Sequence, residues 1–200
     1  MSRTLWNVQA RFYAILRANP ISACILRKEN EALLQLLHSI PHRTFRAVLD
    51  VGTGTGNAIT VFQQAGLASQ HFYAIDSAEE MVSAVRQQFP TVQSLCAQAE
   101  HLPFCNHTFD LILCIGVSEY ISSLPQLLQE LSRVLVPDGF LVITAATSTA
   151  LNWLRYALLH PLFLRNEPAL RIAFEQADFT VVQMRNTLLQ VQFLLRKERS

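Results

Sequence analysis

The feature that most constrains this chain of 200 residues is a short, mainly apolar run at 45–51, carrying only Arg46 and Asp50 as charges, that passes directly into Gly52-Thr53-Gly54-Thr55-Gly56 and then into a helical pattern over 57–65. A run with consecutive apolar residues on both sides of the pleat suits a strand buried on both faces. The glycines remove side chains where the backbone must bend sharply or where a ligand lies against it. Gly66 closes the helical stretch and a second apolar run follows at 71–75, which completes a βαβ unit.

The alternation repeats. Ser77 and Glu80 have capping-box spacing ahead of a helix ending near Phe89-Pro90, and strands are predicted at 92–96 and 109–115. A helix at 124–135 with Pro125 in its first turn, a Pro137-Asp138-Gly139 turn and a strand at 140–145 come next. An apolar helical insert (150–164), a helix after Pro168 and strands at 180–184 and 189–195 complete the pattern. The last two strands are linked too briefly for a crossover helix, so they must be antiparallel. Two helical patterns, 5–18 and 22–40, precede the first strand and are separated by Pro20. The prediction is a Rossmann-like, doubly wound α/β domain over 1–200 with a mainly parallel seven-stranded sheet. Residues 1–44 form a helical cap, 45–146 the core, and 147–200 the insert, last helix and terminal strand pair.

Apolar residues make up 50% and charged residues 16%, with mean hydropathy +0.23, which excludes disorder. The net charge of +1 conceals +5 over 1–46, −7 over 47–150 and +3 over 151–200. Without bulk positive charge, nucleic acid is not the expected ligand. The charge-free run 51–75 contains glycines, glutamines, Asn57 and His71, so it is not a lipid-facing helix. The first residues lack a continuous apolar core and a cleavage site, and a cytoplasmic location is expected. Cys24, Cys96, Cys105 and Cys114 include no Cys-x-x-Cys pair and are expected to stay thiols. His101, Cys105 and His107 lack a second half with ligand spacing, so no metal is expected.

In an open parallel sheet, ligands bind beyond the carboxyl ends of the strands where strand order reverses. Asp50, two residues before the first glycine, is unfavourable to a pyrophosphate and favours a cationic or zwitterionic ligand. Asp76, twenty residues past Gly56, ends the second strand, where an acceptor-only carboxylate can take both hydroxyls of a ribose. Asn57 stands where a dinucleotide loop has its last glycine, which argues against a nicotinamide-dependent oxidoreductase.

The ordered segments VLDVGTGTGN, FYAIDSAEEM, QAEHLPF, FDLILCIGVSEYI and RVLVPDGFLVIT resemble the class I S-adenosylmethionine-dependent methyltransferases, over about 48–144. The branch most similar is the small-molecule group that includes the ubiquinone and menaquinone C-methyltransferases. The resemblance implies S-adenosylmethionine as cofactor. Asp50, Gly52, Thr53, Gly54 and Gly56 would hold its methionine part and Asp76 its ribose. Met81 would cover one adenine face, and Gln98 and Ala99 would meet the adenine edge. Ser77, Glu100, Ile115 and Tyr13 of the Arg11-Phe12-Tyr13 segment would add contacts. Gln98 departs from the family's usual Asp, and a neutral amide is the weaker acceptor. Asp138 stands where Gly is common.

Methyl transfer from a sulfonium needs mainly proximity, alignment and exclusion of water. Glu119, Tyr120 and His101 are the polar candidates for a base, and no catalytic residue is singled out among them. The apolar, basic N-terminal helices and insert suit a small, apolar or lipid-like acceptor such as a quinone, and peripheral contact with an anionic membrane. The alternative is a catalytically silent cofactor-binding or interaction protein of the same fold. Nothing in the sequence indicates the oligomeric state.

Overall fold

A computed structural model describes residues 20–41, 43–149, 152 and 162–199. Its elements run α1 (Pro20–His38), β1 (Thr44–Val51), α2 (Asn57–Gln64), β2 (Ala68–Asp76), α3 (Glu79–Gln88), β3 (Gln93–Cys96) and β4 (Phe109–Cys114), then a 3-10 turn (Ser118–Tyr120). They continue with α4 (Leu124–Val134), β5 (Leu135–Ala146), α5 (Glu167–Gln176), β6 (Phe179–Asn186) and β7 (Gln190–Lys197). The predicted helix at 5–18, Arg11-Phe12-Tyr13 and most of the insert lie outside the described residues.

The seven strands form one sheet in the order β3-β2-β1-β4-β5-β7-β6. The first five are mutually parallel, and β7 lies antiparallel between β5 and β6. The chain builds outward from β1 to β3, then crosses back to β4, so the order reverses between β1 and β4 and a crevice opens at their carboxyl ends.

Strand pleating sends alternate side chains to opposite faces, and each face has its own core. Leu49, Ile112, Ile143 and Phe193 pack with Leu127, Leu128 and Leu131 of α4 and Phe174 of α5. Val48, Leu111, Leu113 and Val142 pack with Leu33, Leu36 and Leu37 of α1 and Val61 and Phe62 of α2. Each fully buried Leu or Phe contributes about 1.5–3 kcal/mol. Two-sided burial explains the mainly apolar strands. Helix α4 opens with Ser123, whose hydroxyl accepts the Gln126 N–H, and with Pro near N1, where a missing N–H is harmless.

Three local expectations are corrected. Ser77 and Glu80 form no capping box: α3 begins after an extended Ala78 that makes no side-chain cap bond. The chain bends at Ser77 and Ala78 instead, where Asp76 Oδ1 accepts the Ala78 N–H. Pro137-Asp138-Gly139 is an irregularity inside β5 and not a turn before it. Leu135 already pairs with Phe109, residues 136–139 stand opposite Asp110, and Asp138 takes φ 63° to absorb the excess. Residues 162–166, at the predicted end of the insert helix, are not helical. No described helix is long and apolar enough to cross a membrane.

Candidate functional site

Asp50 is almost wholly buried at the end of β1, and its Oδ2 accepts the Thr53 hydroxyl at 2.6 Å. Burial pushes its carboxyl up to about 7; the Thr53 bond opposes this and the charge of Asp76 adds to it. Across the glycine bend, Asp76 accepts the Gly54 N–H at 2.9 Å on Oδ2 and the Ala78 N–H at 3.0 Å on Oδ1. Burial raises the Asp76 carboxyl as well, against the pull of these backbone donors. Two carboxylates thus share one crevice and disfavour each other's ionisation, which is the electrostatic setting for a cationic ligand.

The glycines of the bend are not equivalent. All three have positive φ, but a Cβ on Gly52 would run into the Val117 side chain and one on Gly56 into the Phe89 ring. A Cβ on Gly54 would meet nothing within 4 Å. Gly52 and Gly56 therefore allow close packing, and Gly54, whose N–H is bonded to Asp76, faces open space.

The loop after β3 starts beside Asp76, whose carbonyl accepts the Ala97 N–H at 2.9 Å. Gln98 is exposed, Ala99 buried and Glu100 half-buried, with Met81 half-buried on α3. Two residues not singled out from sequence fix this loop from α4. Glu130 accepts the Leu102 N–H, while Arg133 donates to the Leu102 and Phe104 carbonyls and to Asn106 Oδ1. Phe104 packs edge-on against Tyr73 and Phe109. The available signal was Arg133, which opens the RVLVPDG segment three residues after Glu130.

Beyond β4 the chain turns through Ile115 and Gly116 into the 3-10 turn. Thr144 holds this loop, accepting the Gly116 N–H on its hydroxyl and the Ser118 hydroxyl on its carbonyl, each at 2.7 Å. Arg165 holds it from outside, donating at 2.6 Å to both the Ser118 and Ile121 carbonyls. Burial lowers the Arg165 pKa, with Glu119 opposing. Glu119 is 1% exposed, its Oε1 accepting Gln190 Nε2 at 3.4 Å and its carbonyl the Phe163 N–H. Cys114 is buried, and burial together with the Glu119 and Asp50 charges drives its thiol pKa upward.

The structure brings Asp50, Thr53, Gly54, Asp76 and the 97–100 loop together, and sets Glu119 and Tyr120 on a separate loop after β4. His101 is exposed on the loop after β3, with Nε2 3.4 Å from Gln126 Nε2, away from the 3-10 turn. Tyr13 lies outside the described residues. Two shallow clefts of about 470 and 430 Å³, lined by residues including Arg196 and Arg199 in one and Arg46, His71 and His107 in the other, contain none of the predicted site residues.

Residues 49–143, from β1 to β5 and including every strand around the crevice, match the family described as "Methyltransferase domain". That stretch of the chain is therefore similar to methyltransferase domains. Among curated relatives, the chain is 39% identical over 109 residues to the biotin biosynthesis bifunctional protein BioHC of Cellvibrio japonicus, covering 52% of this chain and 21% of that one. It is 33% identical over 146 residues to a malonyl-[acyl-carrier protein] O-methyltransferase of Erwinia pyrifoliae, covering 72% and 53%. It is also 28% identical over 105 residues to the ubiquinone/menaquinone biosynthesis C-methyltransferase UbiE of Campylobacter jejuni, covering 50% and 44%. The chain spans about half the length, or less, of the curated relatives it matches. Two solved structures share the fold. One is a chain of the Haloferax volcanii complex between the Trm112 methyltransferase activator and a methyltransferase (TM-score 0.77, 15% identity, 99% of this chain and 98% of that one). The other is Synechocystis magnesium protoporphyrin IX methyltransferase with bound SAH (TM-score 0.73, 16% identity, 90% and 88%).

Proposed function

We propose that this chain is an S-adenosylmethionine-dependent methyltransferase acting on a small-molecule acceptor. The observation that carries the reading is the open space at Gly54, whose N–H is held by the Asp76 carboxylate, with the buried Asp50 carboxylate bracing the same bend through Thr53. When bound, S-adenosylmethionine supplies a methyl group already activated on a sulfonium. The residues of this chain bind, orient and exclude water. Each oxygen of Asp76 has a lone pair left beyond its backbone bond, enough to accept the two ribose hydroxyls. Asp50 braces the bend through Thr53 and places negative charge beneath the methionine part. Met81, the Ala99 amide and Gln98 serve the adenine, and Ser77, Glu100 and Ile115 line its surroundings.

Glu119 and Tyr120 are assigned to the acceptor side, Glu119 buried there and Tyr120 half-buried. His101 is set aside from that role because it sits on the loop after β3, beside Gln126 of α4. The acceptor is apolar or acyl-bearing. The apolar, basic ends of the chain support this, as do relatives named for a malonyl-acyl carrier and for quinone biosynthesis. The same ends support contact with an anionic membrane surface. A silent cofactor-binding protein is the competing reading, favoured by the neutral, exposed Gln98.

Calorimetry with S-adenosylmethionine decides the cofactor. Binding to the wild type is expected, and Asp76→Ala is expected to weaken it about 100-fold, since two hydrogen bonds to a charged group are lost. No binding by the native protein overturns the proposal. Binding without turnover across quinone, phenol and acyl-carboxylate acceptors would move it to the silent reading.

A further inference from the structure

Helix α1 does more than cover the sheet, because two neighbouring residues on it reach opposite sides of the crevice. Asn30 and Asn57 form a reciprocal amide pair, each Nδ2 donating to the other's Oδ1 at 3.0 and 2.8 Å. Asn57 is the first residue of α2, immediately after Gly56 at φ 82°. Gly56 gives α2 no side-chain cap, and the Asn57 amide is committed to Asn30. The start of α2, whose unpaired N–H groups are the donors nearest the glycine bend, is thereby tied to a helix 27 residues earlier.

Glu29 fixes how α1 presents Asn30. Its carboxylate accepts the Thr187 hydroxyl, the Leu189 N–H and Gln192 Nε2 from the β6–β7 hairpin, and its carbonyl accepts Gln192 Nε2 as well. The next residue of that hairpin after Leu189, Gln190, donates to Glu119 and lies 3.7 Å from where a Cβ on Gly116 would stand. A shift of α1 would therefore be felt at the glycine bend and at the loop after β4 together.

We propose that Asn30 is a positioning residue for cofactor binding, acting through Asn57 to hold the glycine bend in its binding geometry. The proposal rests on the cofactor reading above. The helix packing of Leu33, Leu36 and Leu37 keeps α1 in place; the amide pair sets the orientation of the α2 amides.

The test is calorimetry with S-adenosylhomocysteine on the full chain, well below the melting temperature, for wild type, Asn30→Ala, Asn57→Ala, the double variant and Gln35→Ala. Each single Asn variant is expected to bind about tenfold more weakly, the loss of the pair's hydrogen bonds. The double variant is expected to bind no more weakly than either single, because one interaction is removed only once. Gln35→Ala, on the exposed side of α1, is expected to leave affinity unchanged. A purely structural role would lower melting temperatures with affinity intact, so Asn30→Ala within twofold of wild type overturns the proposal, as do single effects that multiply. If Asn30→Ala does not fold, Asn30→Asp, which sets an oxygen against Asn57 Oδ1, must show the same weakening. Absence of binding by the wild type overturns the cofactor reading and this proposal with it; wild-type binding alone leaves the cofactor reading standing when Asn30 fails.

Discussion

The glycine bend and the loop after β4 are assembled differently. At the glycine bend, proposed to hold the cofactor, the key bonds are short in sequence: Thr53 to Asp50 spans 3 residues and Gly54 to Asp76 spans 22. At the loop after β4, proposed to face the acceptor, Arg165 reaches back 47 residues to Ser118 and Gln190 reaches back 71 to Glu119. The first side is a strand-turn-helix-strand unit that carries its own geometry, whereas the second is defined only after β7 has inserted between β5 and β6. Loops of one βαβ unit can be read as motifs; contacts across the sheet cannot. The difference also separates what each side does, a bend shaped for one ligand and a loop shaped by whatever packs on it.

This contrast can be broken at the glycines first. Gly52→Ala is expected to destabilise by about 2–5 kcal/mol, the sum of a left-handed non-glycine residue and overpacking against Val117. Gly54→Ala is expected to cost about 1–2 kcal/mol, from backbone strain alone, while abolishing cofactor binding by filling the crevice floor. Thermal unfolding and calorimetry on the same two proteins read both effects; Gly54→Ala as the less stable protein would refute the division of roles.

On the other side, Arg165→Met removes the fork that spans the Ser118 and Ile121 carbonyls and is expected to cost about 1–3 kcal/mol. Cofactor affinity should change less than twofold. Hydrogen exchange should rise at residues 118–121 and stay flat at 52–56; a matching rise at the glycine bend would show that the two sides are one unit.

Asp50 gives the smallest effect and the sharpest. Its folded carboxyl is raised to about 7 from 3.8, so the fold binds that proton more tightly than the unfolded chain does. Its contribution to stability is therefore full at low pH and is lost as pH rises from about 4 through 7. Asp50→Asn keeps the acceptor for Thr53 and removes the buried charge. It should gain about 1 kcal/mol or more over wild type at pH 8 relative to pH 5, in melting experiments at both values. Affinity for a cationic cofactor should run the opposite way in the wild type, strengthening as pH rises through about 7. A flat affinity profile would remove Asp50 from the binding electrostatics.

The mainly parallel sheet with its antiparallel last pair, the buried β1 and β4, and the placing of Asp50 and Asp76 at neighbouring strand ends around the bend were legible from the amino acids, because strand pleating and βαβ connections leave little choice once the apolar runs and glycines are placed. The capping box at Ser77 failed because a competing local bond won: the Asp76 carboxylate, held by the Gly54 N–H from across the bend, takes the Ala78 N–H. Glu130 and Arg133 were not singled out in the sequence, yet in the structure they support the loop after β3. Arg165, Gln190 and the Asn30–Asn57 pair acquired their meaning only from packing, since their partners lie 27 to 71 residues away. Residue type and spacing determined the sheet and its cofactor bend through short-range geometry. Which distant polar groups meet at its rim was decided by the tertiary structure, because burial leaves each of them to find a hydrogen-bond partner wherever the packed elements bring one within reach.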